Sequence, residues 1–116
     1  MKYIKNRITV IGMGYIGLPT ALLLAHQNRK IICIDNDKKK IKDLKSGNLT
    51  LKEKSINLLF KKKRKYLNFS EKIEVSSTYI VCVPTPVKKQ SKFLYKEDLS
   101  ILNLIFKNLE KILKKN

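Results

Sequence analysis

The chain has 116 residues, of which 43% are hydrophobic, and a formal net charge of +17. Its length allows one small domain, and its hydrophobic share is too high for a disordered chain. The longest apolar stretches, such as residues 16–25, are too short to cross a bilayer. The first residues also lack the apolar segment of a secretory signal. We therefore expect a soluble, cytoplasmic protein without a membrane partner.

The positive charge could indicate a nucleic-acid partner, but the composition favours another explanation. Only 3 of the 26 basic residues are Arg, the residue that makes bidentate contacts with bases. Ala occurs 2 times, whereas Ile occurs 14 times and Asn 9 times, which is typical of an A/T-rich genome. We therefore expect salt-sensitive attraction to polyanions without specific nucleic-acid binding.

The first half of the chain predicts alternating strands and helices. A β-branched run at 7–11 and a second at 30–34 predict buried strands, and residues 15–27 between them predict a helix. Asp37 can cap a further helix, which Gly47 would end.

The second half continues the alternation. A helix is predicted at 51–65, and its basic end, 61–65, is interpreted as a solvated helix end. Residues 69–75 predict a weak strand and 79–83 a strong one, followed by a polar loop. The spacing of apolar residues over 98–115 predicts a last helix.

Continuous apolar strands that alternate with helices predict an α/β fold. We expect a Rossmann-type parallel sheet with helices on both faces, ending after the fourth strand and its helix. Residues 8–11 should lie in the centre, with 31–34 on one side and 80–83 on the other.

A glycine-rich turn joins the first strand to the first helix. Residues 12–17 read Gly-Met-Gly-Tyr-Ile-Gly, and Asp35 ends the second strand 18 residues after Gly17. Together, the G-x-G-x-x-G turn, the helix and the acid form the fingerprint of dinucleotide binding in one βαβ unit. Gly12 permits the tight turn, Gly14 lets a pyrophosphate approach, and Gly17 allows the helix to pack closely.

The acid at the end of the second strand predicts which cofactor binds. The Asp35 carboxylate can accept hydrogen bonds from the ribose hydroxyls of NAD and would repel the 2′-phosphate of NADP. The lysines at 38–40 can soften that repulsion, so NADP stays an alternative. A Rossmann-like domain that has lost its ligand would show the same pattern.

A second motif follows the strong later strand. Residues 83–86 read Val-Pro-Thr-Pro, and ligands of open parallel sheets lie at the carboxyl ends of strands. Thr85 could therefore offer a hydroxyl to the dinucleotide, or the motif could be an ordinary strand stop.

Several segments together resemble the UDP-glucose/GDP-mannose dehydrogenase family. Residues 8–25 are similar to its first strand and helix, 34–37 to the end of its second strand, 45–48 to a helix stop and 82–86 to its V-P-T-P segment. The sequence at 14–21 looks most like the UDP-N-acetyl-D-mannosamine dehydrogenase branch. The resemblance implies cofactor contacts at Tyr15, Ile16, Asp35 and Thr85, in the glycine turn including Met13, and near Lys40.

The resemblance implies an NAD-dependent oxidoreductase. Such enzymes oxidise the C6 hydroxyl of a nucleotide sugar to a carboxylate through a cysteine-linked intermediate, for surface polysaccharide biosynthesis. Residues 1–116 would form the N-terminal NAD-binding domain, incomplete, without the central dimerisation domain and the C-terminal nucleotide-sugar domain. A UDP-sugar would bind only if those domains were supplied.

No residue of the chain is predicted to be catalytic. Cys33 and Cys82 lie inside apolar runs, which argues against a disulfide, a metal site or a nucleophile. His26 lies near the end of the first helix. The family has a Glu-Pro pair at the positions of Glu53 and Lys54, so Glu53 matches the glutamate but Lys54 replaces the proline.

We therefore expect a fragment that binds NAD weakly and is inactive alone. Two other functions stay open at this point. The first is a stand-alone nucleotide-sensing Rossmann module, and the second is a basic nucleic-acid-binding protein.

Overall fold

The computed structural model describes residues 7–25, 27, 29–49, 53–84, 86–89 and 95–114. Helices and short strands alternate through most of this part of the chain, as the apolar pattern predicts. The elements in chain order are β1 (Arg7–Ile11), α1 (Gly17–Leu24), β2 (Lys30–Ile34), α2 (Lys38–Lys45), α3 (Lys54–Lys63), a 3₁₀ turn (Arg64–Tyr66), β3 (Leu67–Ser70), β4 (Thr78–Val81), β5 (Val87–Lys89), β6 (Tyr95–Glu97) and α4 (Ser100–Lys114).

Four of the strands form one parallel sheet in the order β3-β2-β1-β4. In the register, Ile8 of β1 lies beside Ile31 of β2 and beside Thr78 of β4. The prediction that the first strand is central, with the second on one side and the strong later strand on the other, is confirmed. The chain moves outward from β1 to β3 and then returns to β4, so the strand order reverses beside β1.

The sheet has helices on both faces. Successive side chains of a strand point to opposite faces, so each strand contributes to both cores. Ile11 and Ile34 contact Ile105 of α4 on one face. Val10 and Cys33 belong to the cluster on the other face, which contains Leu18, Ala21 and Leu22 of α1, Leu44 of α2 and Phe60 of α3. The predicted α/β class with two covered faces is therefore confirmed.

Local signals set the bounds of α2. The Asp37 side chain accepts a hydrogen bond from the Lys40 N–H at 3.1 Å, which caps the helix as predicted. Gly47 follows the helix with φ +86°, a conformation that side chains rarely adopt. The Arg64 guanidinium lies where a Cβ on Gly47 would be and donates to the Lys45 carbonyl at 2.9 Å.

The basic run at the end of α3 makes specific contacts, so its interpretation as a solvated helix end is incomplete. Lys63 Nζ donates to the carbonyl of Ala25, just after α1, at 3.1 Å. Arg64 lies over the ring of Phe60 and contacts the end of α2. These two cations satisfy helix carbonyls, whereas Lys61, Lys62 and Lys65 are exposed.

Several details differ from the sequence prediction, among them that β4 ends at Val81 and α3 at Lys63. The third strand begins at Leu67 and ends at Ser70, because Leu67 packs into the core while the charged residues after Ser70 leave the sheet. α1 is shorter than predicted and ends at Leu24. The predicted polar loop contains the antiparallel pair β5 and β6, whose lysine-rich sequence lacks an apolar alternation.

Among the described residues, the longest helix is α4, with 15 residues. No helix in this part of the chain has the length and apolar character that a membrane span requires.

Two neighbouring leucines of α1 test the packing of the core. Leu22 is 0% exposed and Leu23 is 74% exposed. Leu22→Ala should lower the free energy of unfolding by about 2–5 kcal/mol, since it leaves a cavity between α1 and the sheet. Leu23→Ala is the matched control and should change it by less than about 0.5 kcal/mol. Urea titrations followed by far-ultraviolet circular dichroism measure both values, and equal effects would contradict this packing.

Candidate nucleotide-binding crevice

A crevice lies at the carboxyl ends of β1, β2 and β4, where the strand order reverses. Its cavity has a volume of about 670 Å³. Ligands of open α/β sheets bind at such a switch point, because the loops after adjacent strands diverge there. The lining combines the ends of the strands with one side of α4, and its residues include Ile11, Gly12, Ile34, Asp35, Val83, Pro84, Leu104 and Ile105.

Two glycines bring three backbone segments together beneath the crevice. Gly12 donates its N–H to the Ile34 carbonyl at 2.7 Å and turns out of β1 with φ +101°. A Cβ on Gly12 would lie 2.6 Å from the Cys82 carbonyl oxygen. A Cβ on Gly17 would overlap the Gly12 carbonyl oxygen. Both positions therefore require glycine, as the sequence analysis expects for the tight turn and the close packing of α1.

The middle glycine of the turn faces open space. Among the described residues, no atom outside its chain neighbours lies within 4 Å of the position of a Cβ on Gly14. The next residues, Tyr15 and Ile16, are exposed, and no side chain caps the N-terminus of α1. A phosphate group can therefore approach the backbone here, where the helix dipole is positive.

Asp35 is held in place by the turn that it faces. Its Oδ2 accepts a hydrogen bond from the Met13 N–H at 2.9 Å, and its Oδ1 accepts one from the Asp37 N–H at 2.9 Å. Lys40 Nζ lies 3.6 Å from Oδ2. The Asp35 side chain is 11% exposed. A carboxylate has about four acceptor positions, so this one retains capacity for the hydroxyls of a ribose.

One wall of the crevice is apolar. Ile73 follows β3, and Ile101, Leu104 and Ile105 lie on the side of α4 that faces the strand ends. An apolar wall beside a few placed polar groups is typical of small-molecule sites. The sequence analysis predicted α4 but did not assign this side to the site, although the spacing 101, 104, 105, 108 and 112 could have indicated it.

A second cavity, of about 400 Å³, lies between the glycine turn and α2. Met13, Gly14 and Tyr15 line one side, and Lys39 and Asp43 are on the other. The turn therefore has open space on two sides, and Lys40 borders both cavities.

The two cysteines differ in exposure, but both favour the protonated thiol. Burial in the core raises the pKa of Cys33 from 9.0 to about 12. Burial also raises the pKa of the half-buried Cys82, which lies directly after β4. A thiol is a weak nucleophile when it is protonated, so these side chains fit the structural role assigned to them.

The structure brings most of the predicted site residues to one end of the sheet. The glycine turn and Asp35 lie beside each other and are joined by the Met13 hydrogen bond. Thr85 and His26 lie outside the described residues. Glu53 directly precedes α3, and Lys54 is the first residue of that helix, a position where proline is common.

The sequence analysis missed the link between Met13 and Asp35, because a backbone N–H leaves no signature in a sequence.

The crevice combines the kinds of group that a dinucleotide requires. The uncapped helix N-terminus and the open side of Gly14 suit a pyrophosphate. The Asp35 carboxylate suits a ribose, and the apolar wall suits an adenine ring. A parallel sheet with this turn, acid and crevice defines a dinucleotide-binding Rossmann domain.

Comparison with known proteins identifies the family. Residues 6–116 match the model of the UDP-glucose/GDP-mannose dehydrogenase family, NAD binding domain. The chain therefore belongs to this family and corresponds to its NAD-binding domain, which confirms the predicted family and cofactor.

The similarity extends to individual relatives. The chain is 40% identical over 83 residues to UDP-N-acetyl-D-mannosamine dehydrogenase of Methanococcus vannielii. The aligned residues are 70% of this chain and 19% of that protein. It is 30% identical over 112 residues to the protein of the same name from Campylobacter jejuni. Here the aligned residues are 95% of this chain and 27% of that protein. The structure of the UDP-N-acetyl-mannosamine dehydrogenase Cap5O from Staphylococcus aureus superposes with a TM-score of 0.81 at 25% identity, covering 91% of this chain and 26% of that one. The chain thus spans about a fifth to a quarter of the length of these relatives.

Two glycine substitutions should separate folding from ligand access. Gly17→Ala should lower the free energy of unfolding by more than about 2 kcal/mol, because its methyl group overlaps the Gly12 carbonyl. Gly14→Ala should change it by less than about 1 kcal/mol, because its methyl group enters open space. Urea titration of both variants measures the difference, and equal destabilisation would refute this geometry of the turn.

The two thiols should also differ in reactivity. At pH 8, iodoacetamide should modify the half-buried Cys82 at least about tenfold faster than Cys33, whose burial holds its pKa at about 12. Mass spectrometry of quenched samples measures both rates, and Cys82→Ser provides the control for Cys33 alone. Rapid modification of Cys33 in the native chain would contradict its place in the core.

Proposed function

We propose that this chain is the NAD-binding part of a nucleotide-sugar 6-dehydrogenase that oxidises UDP-N-acetylmannosamine to UDP-N-acetylmannosaminuronate. The observation that supports this most directly is the family match over residues 6–116 together with relatives of that name. The product is a sugar acid, and we propose that it serves surface polysaccharide biosynthesis. Buried, unpaired Cys33 is consistent with a cytoplasmic location.

We propose that NAD binds along the crevice. The backbone of Gly12, Met13, Gly14, Tyr15, Ile16 and Gly17 would surround the pyrophosphate at the start of α1. Asp35 would accept hydrogen bonds from the adenosine ribose, and Thr85, in the Val-Pro-Thr-Pro segment after β4, would offer a hydroxyl. When bound, NAD supplies the hydride acceptor for oxidation of the sugar alcohol.

The surroundings of Asp35 support a preference for NAD over NADP. The carboxylate is mostly buried, and its two hydrogen bonds hold it against the turn, so it cannot swing away from a 2′-phosphate. Lys40 lies 3.6 Å from Oδ2 and partly offsets this negative charge. The two side chains therefore act in opposite directions on cofactor choice.

We further propose that residues 1–116 do not catalyse the oxidation alone. The aligned segments cover only 19% and 27% of these two relatives, and the two cysteines have raised pKa values and lie in or beside the sheet. The family's central dimerisation domain and C-terminal nucleotide-sugar domain would have to supply the nucleophile and enclose the UDP-sugar.

Specific nucleic-acid binding is not part of this proposal. The basic run at the end of α3 uses Lys63 and Arg64 to contact the carbonyls of Ala25 and Lys45. These cations therefore have a structural role that accounts for their place in the sequence.

Opposite effects of Asp35 and Lys40 on cofactor choice provide a test. NAD should raise the melting temperature of the chain more than NADP at equal concentration, because a ligand of the native state stabilises it. Asp35→Asn should reduce this difference and Lys40→Met should enlarge it. Differential scanning fluorimetry measures all three chains with and without each cofactor. Equal stabilisation by both cofactors in all three chains would refute the ribose role of Asp35.

The proposed lack of activity has a direct test. The purified chain should produce no NADH above background from UDP-N-acetylmannosamine or UDP-glucose, because a positioned thiolate is absent from its described part. Absorbance of reduced nicotinamide measures the rate, and Cys82→Ser is the control. Steady turnover that the substitution abolishes would identify Cys82 as a nucleophile and overturn the proposal.

A further inference from the structure

A short connection without a helix joins β3 to β4. β3 ends at Ser70 and β4 begins at Thr78, and residues 71–77, all within the described part of the chain, form no helix. A crossover between parallel strands usually takes a dozen or more residues and contains a helix. Ile73 packs against the cluster around Ile11 and Ile105, so these residues cross the sheet on the face that α4 covers. We call residues 71–77 the strap.

The strap has little spare length. The strand registers place Leu67 of β3 level with Thr78 of β4, so the strap crosses two strands and also returns from the carboxyl end of β3. This diagonal is about 17 Å long in the plane of the sheet, and the chain must also rise over the side chains. Fully extended, the chain from 70 to 78 reaches about 26 Å, whereas a helix would reach only about 12 Å. Because the strap must be extended, a shift at one end is transmitted to the other.

The beginning of the strap forms part of the nucleotide crevice. Glu71, Lys72 and Ile73 all line it. Ser70 connects this part of the wall to the rest of the site. Its Oγ accepts the Lys72 N–H at 3.1 Å, and its carbonyl accepts the Asp35 N–H at 3.3 Å. The position of these three strap residues therefore sets the shape of one side of the crevice.

The end of the strap is fixed by polar side chains of β1 and β4. Thr9 is 0% exposed, and its hydroxyl is hydrogen-bonded to that of Ser76. Tyr79 Oη accepts the Ser76 N–H at 2.9 Å and donates to the Glu74 carbonyl at 2.9 Å. Arg7 adds an ion pair with Glu74 at 2.9 Å. Buried polar groups are costly to leave unpaired, so these contacts hold the strap in one position.

We infer that Thr9 and Tyr79 are positioning residues for the nucleotide crevice and act on it through the strap. This inference rests on the proposed nucleotide site. Thr9 and Tyr79 are not among the described residues that line the crevice. They fix the end of the strap, and the beginning of the strap is the wall. A wall that is already held in place loses less conformational entropy when the ligand binds, which strengthens binding.

Three substitutions in the 116-residue chain test the role of the hydroxyls. Thr9→Val and Tyr79→Phe remove a hydroxyl but nearly keep the size of the side chain. Each should weaken NAD binding by about fivefold or more. Thr9→Ser keeps the hydroxyl and removes a methyl group. It should lower the melting temperature and still bind NAD within about twofold of the unmodified chain. Isothermal titration at a temperature where every variant is folded measures the dissociation constants.

Phe60→Leu is the control for stability alone. Phe60 is buried on the opposite face of the sheet, on α3, and is not among the residues that line the crevice. The substitution should lower the melting temperature and leave NAD affinity within about twofold. Nuclear magnetic resonance of the chain without ligand provides a second measurement. The amide signals of residues 71–73 should shift in Tyr79→Phe and stay in place in Phe60→Leu.

The possible outcomes separate the inference from the proposed site. If Thr9→Val and Tyr79→Phe both bind NAD within about twofold of the unmodified chain, the inference is overturned and the nucleotide site stands. If Phe60→Leu weakens binding as much as they do, the inference is also overturned, because lost stability then accounts for the effect. If one of the two variants does not fold, the other decides. Absence of NAD binding by the unmodified chain would refute the proposed site and the inference with it.

Discussion

The crossing of three backbone segments at the end of β1 is the constraint on which the site depends. The turn at Gly12, the first residue of α1 and the Cys82 carbonyl come so close that side chains on Gly12 or Gly17 cannot be accommodated. This contact sets the distance of α1 from the sheet and aims its N-terminus at the crevice. A larger separation would remove the helix dipole from the place where a phosphate approaches. The same contact joins β4 to β1, because the Cys82 N–H donates to the Ile11 carbonyl at 2.7 Å.

Asp35 connects the turn after β1 with the turn after β2. Its carboxylate accepts the N–H of Met13 from the first turn and that of Asp37 from the second. One side chain therefore holds together the two turns that border the crevice. Lys40 approaches the same carboxylate from α2 and partly offsets its negative charge. In the proposed site, cofactor choice would depend on the balance between this acid at a strand end and this base in the first turn of α2.

The two faces of the sheet differ in how completely they are covered. α1, α2 and α3 share one face and bury a large cluster around Leu22 and Phe60. Of the described helices, α4 packs on the other through Ile105 and Leu109, and Phe106 on the same helix is about half exposed. The apolar wall of the crevice belongs to this second face, so this side of the crevice depends largely on α4. Such a helix has few tertiary contacts, which is typical of elements with low local stability.

The sequence by itself determined the order of the helices and of the four strands in the parallel sheet, the central place of β1 and the family. Long apolar strands that alternate with helices allow few parallel topologies, and the glycine spacing with Asp35 has one common structural meaning. Element ends were less predictable, as at β3, because burial of Leu67 and not local propensity decides where the strand begins. Only the tertiary structure decided which groups meet: the Met13 N–H with Asp35, Arg64 over Gly47, and one side of α4 with the strand ends. The physical reason is that these contacts join segments distant in the chain through backbone groups and packing, which residue patterns do not encode.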